Sequence, residues 1–473
     1  MSNTLTKHFK KFDYMNPIIT QHYGADPYAM EYGGRVYFYM TADKYEYDEK
    51  GEIAENTYSK IKSLYVVSTD DMANFTDHGE VTVACDASAK WAHNSWAPAA
   101  CWKNIDGKDK FFLYFADNGG GIGVLSADSP IGPFTDPIGK GLITRDVPTC
   151  AEVTWLFDPA VLVDDDGTGY IYFGGGVPMG KADCPGTARV CKLGADMVSL
   201  DGDPVAIPTV PYLFEDSGIH KFNNKYYYTY CSNFNVTEEA TEKFGFKNGE
   251  ICVMESDSPM GPFEYKERIL ENPGDYCGLY GNNHHCVFSF KGQWYMTYHS
   301  RSLEGFMDIK HGYRVTHVDE FTIAEDGKIG TIKQSFTDRK QIKSVDPFKA
   351  YPASCVAQMA GVTPVAADEV SRKYGVGNMN IMVNNAGDFT QVKGVEFTKT
   401  ASKVTITAAP SSDGEIKIFK NAPDGELLAT VKVTKASEMT AFAADVKGAE
   451  GKADLFFVFD LAKDSQIKDW VFA

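Results

Sequence analysis

Five short runs alternate β-formers and aromatics densely enough to predict strands: Val36-Tyr37-Phe38-Tyr39-Met40, Phe111-Phe112-Leu113-Tyr114-Phe115, Tyr170-Ile171-Tyr172-Phe173, Tyr226-Tyr227-Tyr228-Thr229-Tyr230 and Trp294-Tyr295-Met296-Thr297-Tyr298. Each follows a tight-turn signal: Gly33-Gly34, Asp106-Gly107, Asp166-Gly167-Thr168-Gly169, Asn223-Asn224 or Lys291-Gly292. A turn followed by β-rich alternation predicts a hairpin. Counted from Tyr37, Phe112, Tyr170, Tyr226 and Trp294, successive runs are 75, 58, 56 and 68 residues apart.

A second element repeats closely. Ile122-Gly123-Val124-Leu125-Ser126-Ala127-Asp128-Ser129-Pro130-Ile131-Gly132-Pro133-Phe134 matches Ile251-Cys252-Val253-Met254-Glu255-Ser256-Asp257-Ser258-Pro259-Met260-Gly261-Pro262-Phe263, with a looser copy from Leu64 to Met72. Each copy predicts a third strand, a turn and a bend into an outer strand. Four strands per unit and five units predict an all-β chain that opens with a five-bladed β-propeller over residues 1–335. From residue 336 onward the texture changes to Ala, Val, Thr and Lys with short alternating strands, such as Lys403-Val404-Thr405-Ile406-Thr407. This predicts a β-sandwich, jelly-roll-like, over 336–473.

A chain of 473 residues is long enough for two such domains. Its formal charge of −18 disfavours nucleic acid and anionic membranes as partners and suits a neutral substrate such as a sugar. No apolar run approaches the ~18 residues of a membrane helix. The opening residues lack the apolar core of a secretory signal, and the ten cysteines include no CxxC pair, so a reducing cytoplasm is the expected compartment.

Ahead of each aromatic strand lies a polar or proline segment: Ala25-Asp26-Pro27-Tyr28, Trp96-Ala97-Pro98-Ala99, Phe157-Asp158-Pro159-Ala160, Phe214-Glu215-Asp216-Ser217 and Asn283-His284-His285-Cys286. From Asp26, Pro98, Asp158, Glu215 and His285 the offsets to the strands are 11, 14, 12, 11 and 9 residues. Similar positions in a unit repeated about an axis converge, which brings Asp26, Asp158 and Glu215 to one point. Inverting glycoside hydrolysis needs such a set, with one carboxyl to protonate the leaving oxygen and one carboxylate to activate water on the opposite face. A third carboxylate raises the acid's proton affinity by like-charge repulsion. Asp164-Asp165-Asp166-Gly167 lacks the remaining ligands of a calcium loop and reads as a hairpin turn. Of His284-His285, one histidine either faces the channel, holding a hydrated cation or a substrate hydroxyl, or is a satisfied structural group.

Together these motifs, with His93-Asn94-Ser95-Trp96-Ala97-Pro98 and Gly281-Asn282-Asn283-His284-His285, resemble glycoside hydrolase family 43 in order over residues 16–335. The resemblance implies Asp26 as general base, Asp158 as modulator and orienter, and Glu215 as general acid. It further implies Trp96, Trp155 and Phe234 as apolar walls around the sugar, Arg314 near the acid or a sugar hydroxyl, and a Ca²⁺ ion in the central channel near His285 and Asn283. Within the family the chain looks most like the arabinofuranosidases that debranch arabinoxylan. An exo-acting, inverting α-L-arabinofuranosidase is therefore expected, acting on arabinoxylan or xylo-oligosaccharide, with β-xylosidase or a bifunctional enzyme as the alternative and a non-catalytic sugar-binding propeller as the reading from another class. Asn384-Asn385-Ala386-Gly387-Asp388-Phe389 and Asp469-Trp470-Val471-Phe472 resemble a family 6 carbohydrate-binding module, expected to buttress the propeller rather than bind polysaccharide tightly.

Overall fold

The computed structural model describes residues 5–85 and 87–473. It is all-β in character: among the described residues strands dominate, and the longest helix, Glu238–Phe244, has 7 residues. The chain forms two compact units that do not simply divide at 335/336. Residues 23–65 and 80–335 make one, while residues 5–22 and 66–79 join 336–473 in the other. Non-local pairing explains the difference. Within the latter unit Phe75 and Thr76 pair with Val356 and Cys355, Asn74 exchanges hydrogen bonds of 3.0 and 2.8 Å with the Lys393 backbone, and Lys10 Nζ donates to Ala357 O at 3.0 Å.

The larger unit contains five antiparallel sheets whose strands follow one another in chain order. The first begins with the hairpin Tyr23–Tyr32 and Arg35–Asp43. The second comprises Trp96–Ile105, Lys108–Ala116 and Ile122–Ala127, and the third Ala160–Val163, Gly169–Phe173, Arg189–Lys192 and Val205–Ala206. The fourth comprises Leu213–Phe222, Lys225–Ser232, Ile251–Ser256 and Glu264–Leu270, and the fifth His285–Phe290, Gln293–Ser300 and Val315–Phe321. Every aromatic run of the sequence lies on the second strand of its sheet. The first strand of each sheet packs on those of the sheets before and after, and the fifth sheet's packs on the first sheet's.

Two devices tie the repeat to its residues. Tyr39 and Tyr172 are fully buried and donate their hydroxyls, both at 2.6 Å, to the carbonyls of Pro130 and Pro259, the prolines of the two Asp-Ser-Pro turns. A buried phenol needs such an acceptor, which gives the turn motif a packing role. The second copy leads into the outer strand Glu264–Leu270, whereas the first leads only to two isolated bridges, Ile122 with Ile143 and Ser126 with Thr135. Pro137 follows at once and has no N–H to donate, so the expected fourth strand does not extend there.

The first strands carry the irregularities that build the site. Register slips between Ala25 and Tyr28, between Trp96 and Ala99, and between Glu215 and Gly218. Within these slips Asp26, Ala97 and Asp216 adopt φ of 45°, 40° and 68°, and Asp158 adopts 49° just before its strand. A bulge re-aims side chains, and a non-glycine residue in the left-handed region costs about 1–3 kcal/mol and concentrates at functional sites. The register corrects the spacing argument. Asp216, not Glu215, occupies the place of Asp26 and Asp158, and Glu215 shares the preceding place with Ala25, Trp96 and Phe157.

In the other unit, one sheet runs Thr363–Ala366, Met379–Met382, Gln466–Phe472, Lys403–Ala409 and Thr440–Asp445, with Tyr351–Pro352 also on Gln466–Phe472. A second runs Gln358–Ala360, Asp388–Phe397, Gly451–Asp460, Gly414–Lys420 and Glu426–Val433. Val404, Ile406 and Trp470 of one sheet share a buried cluster with Ile416, Ile418 and Phe457 of the other. Along Lys403–Ala409 inward apolar residues alternate with polar ones, the period-2 pattern of a half-buried strand.

Candidate active site

Asp26, Asp158 and Glu215 line one cavity of about 100 Å³, with Trp96, Phe157, His284, Arg314, Tyr58 and Asn282 among its walls. That volume is far below the ~300–1,000 Å³ of a drug-sized pocket and matches a single small ring. The acids are 4%, 4% and 7% exposed, so desolvation governs their chemistry. The three acids come from the start of three different sheets: Asp26 within a bulge, Glu215 at the edge of one and Asp158 just before its strand.

Arg314 organises one side. Its Nη1 donates to Asp26 Oδ1 at 2.8 Å, while Nε and Nη2 grip Asp43 in a fork at 3.0 and 2.8 Å. The guanidinium also lies 4.7 Å over the Tyr58 ring. Such a fork fixes position as well as charge. His299 Nδ1 accepts the Asp26 backbone N–H at 3.1 Å, and its Nε2 is 2.9 Å from Asn282 O.

The three carboxyls differ in proton affinity. Burial alone would raise Asp26, but Arg314, aided by His299 and His284, holds it well below the usual carboxylate range. Burial, then the charge of Asp158 and Asp26, pushes Glu215 well above that range. Burial and the Asp26 charge also raise Asp158. Asp158 Oδ2, however, accepts the Asp216 N–H at 2.9 Å, whereas Glu215 Oε1 is buried with no partner. Of this coupled pair, Glu215 is thus the better proton holder. One cavity therefore presents an ionised carboxylate and a protonated carboxylic acid at the same pH, which is what acid–base hydrolysis requires.

The structure does not bring every expected residue here. Trp155 lies outside the lining and packs edge-on against Phe157 and Phe214, at 5.3 and 5.2 Å. Phe234 lines a separate cavity of about 970 Å³, which meets the first only at Asn282. Four participants escaped the spacing argument. Tyr58 sits in a loop without a repeat signal, Asp43 and His299 end second strands, and Asp216 was hidden by the bulge.

His285 is a structural group in this arrangement. Its Nδ1 bonds Asp216 Oδ2, and its Nε2 lies 2.7 Å from Thr229 Oγ1. Asn283 donates instead to Gly249 O at 3.0 Å. Among the described residues, no group of three or more His, Cys, Asp or Glu suits a metal ion. Ca²⁺ takes six to eight oxygens, and the expected residues offer it little beyond one ring nitrogen of His285, the Thr229 hydroxyl beside it and the unpartnered Asn283 Oδ1. The residues present do not form a calcium shell, and no chemical step is derived through one.

Comparison with known proteins places the chain among relatives. Residues 14–329 match Glycosyl hydrolases family 43, and residues 353–473 match Carbohydrate binding module (family 6). The chain is 43% identical to an arabinoxylan arabinofuranohydrolase of Paenibacillus polymyxa, over 94% of this chain and 71% of the relative. It is 43% identical to another of Bacillus subtilis, over 97% of this chain and 91% of the relative. A crystal structure of a family 43 arabinoxylan arabinofuranohydrolase from Bacillus subtilis in complex with cellotetraose superposes with a TM-score of 0.91 at 40% identity, covering 100% of this chain and 99% of that one. With these matches spanning both regions of the chain, the protein belongs to glycosyl hydrolases family 43.

Proposed function

We propose that the protein is an exo-acting, inverting α-L-arabinofuranosidase that releases arabinose from arabinoxylan-derived oligosaccharides. The observation that carries the reading is the pairing of Asp26 and Glu215 in one small cavity with opposite proton affinities. Glu215 gives its proton to the glycosidic oxygen as the bond from the anomeric carbon breaks. Asp26 takes a proton from the water whose oxygen forms the new bond on the opposite face, so the anomer inverts. Asp158 raises Glu215 and orients the sugar, Arg314 keeps Asp26 ionised, and Trp96 supplies an apolar wall. Solvent exchange then returns the proton from Asp26 to Glu215. Names of the relatives support the choice of arabinose. A substrate panel comparing arabinose and xylose release tests it: faster release of xylose would make the enzyme a β-xylosidase. Product anomers followed by NMR should appear inverted, and retained configuration would remove Asp26 from the base role.

The finer architecture belongs to the same reading. A five-bladed propeller is supported by the five sheets whose first strands contact one another in turn, and a β-sandwich by the core shared between two sheets. A cytoplasmic location is in keeping with the thiols of Cys101, Cys191, Cys231 and Cys252, all buried and unpaired.

A further inference from the structure

The first strands hold a second cavity, of about 300 Å³, whose lining shares no residue with the cavity of the acids. Its walls mix aromatic and aliphatic side chains, among them Phe288, Trp294 and Val287, with the polar groups of Glu31, His220, Lys221 and Ser289. Its polar centre is His220, which is 4% exposed and has neither ring nitrogen hydrogen-bonded. The ring is held in place, stacked on Tyr227 at 5.0 Å and tilted against Trp294 at 5.8 Å. A buried polar atom without a partner is costly, so two on one fixed ring mark a place shaped for something else.

The chemistry of the missing partner follows from the lining. Burial, with His285 behind it, pushes His220 down to about 3, so near neutral pH the ring offers one N–H donor and one acceptor lone pair. The lining contains one cation, Lys221, already engaged by Asp164 and Asp165 at 2.5 and 2.8 Å. No free positive charge is left to attract an anion. A donor and an acceptor on one ring, beside aromatic faces, suit a neutral molecule carrying both hydroxyls and an apolar face.

We propose that this cavity is a second, non-catalytic carbohydrate site in which His220 pairs with hydroxyls of a sugar ring packed against Trp294. The choice of a pentose probe rests on the proposed function, but the site itself does not. Because that function is read from turnover at Asp26 and Glu215, the two readings fail separately.

The test uses the full chain carrying Glu215→Gln, labelled with ¹⁵N-histidine and titrated with xylobiose. A saturable shift of the His220 ring resonances is expected, assigned by their loss in His220→Gln. It should persist when Trp96→Ala alters the catalytic cavity and vanish when Ser289→Tyr fills the second one. Ser289 lines the cavity from an exposed strand position, so that variant still decides the matter if His220→Gln fails to fold. Absence of a shift at any xylobiose concentration would overturn the proposal. So would an equal response to glycerol, loss of the shift in Trp96→Ala, or its survival in Ser289→Tyr.

Discussion

Glu215 and Asp26 are both carboxyls, and what separates their roles is what surrounds them. Glu215 is buried among other acids without a donor on Oε1, whereas Asp26 faces Arg314 at 2.8 Å. Replacing either by Ala should lower kcat/KM by roughly 10²–10⁴-fold, the usual contribution of a positioned acid or base. The substrate dependence should differ. A nitrophenyl leaving group needs little protonation, so Glu215→Ala should lose less on a nitrophenyl arabinofuranoside than on an oligosaccharide, while Asp26→Ala should lose equally on both. The signs also fix the pH profile. Activity falls at low pH as Asp26 gains a proton and at high pH as Glu215 loses one. Asp158 is the largest charge raising Glu215 after burial. Asp158→Asn should therefore move the alkaline limb of kcat/KM to lower pH, and an unmoved limb would remove Asp158 from the modulator role.

Elements explain why these residues meet, and they mark the limit of what the chain reveals by inspection. Hairpins were legible because turn residues and aromatic alternation are local: all five aromatic runs lie on second strands. Bulges were not, since these first strands are buried on both faces and carry no alternation whose phase an extra residue could shift, and Glu215 was aligned where Asp216 belongs. Asp43 and Arg314 are held together by tertiary folding alone, so no spacing rule could pair them. Trp155 shows the converse: its apolar bulk suited a sugar wall, but Phe157 and Phe214 claim it. A β-carbon on Gly175 would stand 2.5 Å from Phe214 O and 3.3 Å from Glu215 Cα. Gly175→Ala must therefore displace main chain next to the acid. Overpacking of this kind costs about 1–3 kcal/mol, and a misplacement of ~1 Å near the chemistry can cost about 10²-fold in rate. Thermal melts should show the first effect, and kcat falling more than KM rises should show the second.

On the scale of the whole molecule, the compact units are defined by hydrogen bonds between distant residues, so a chain cut at the apparent domain boundary is not a smaller version of the same structure. Residues 66–79 lie amid the sheets in sequence but belong to the unit built around 336–473. Ending the chain at Ser335 would strip Phe75 and Thr76 of their strand partners and Asn74 of the Lys393 backbone. It would also take Ala357 O from Lys10 Nζ, a fully buried ammonium whose other acceptors are the carbonyls of Met15 and Pro17. Each buried polar group left unpaired costs about 1–3 kcal/mol, and several such losses approach the ~5–15 kcal/mol that stabilises a typical domain. A 1–335 fragment is accordingly expected to be insoluble or to melt well below the full chain, although every acid of the catalytic cavity lies within it. Turnover per folded molecule, compared with the melting temperature of the same preparation, distinguishes lost stability from lost chemistry. A soluble fragment with the full chain's melting temperature would mean that the 66–79 segment is satisfied without residues 336–473, contrary to the pairing that defines the unit.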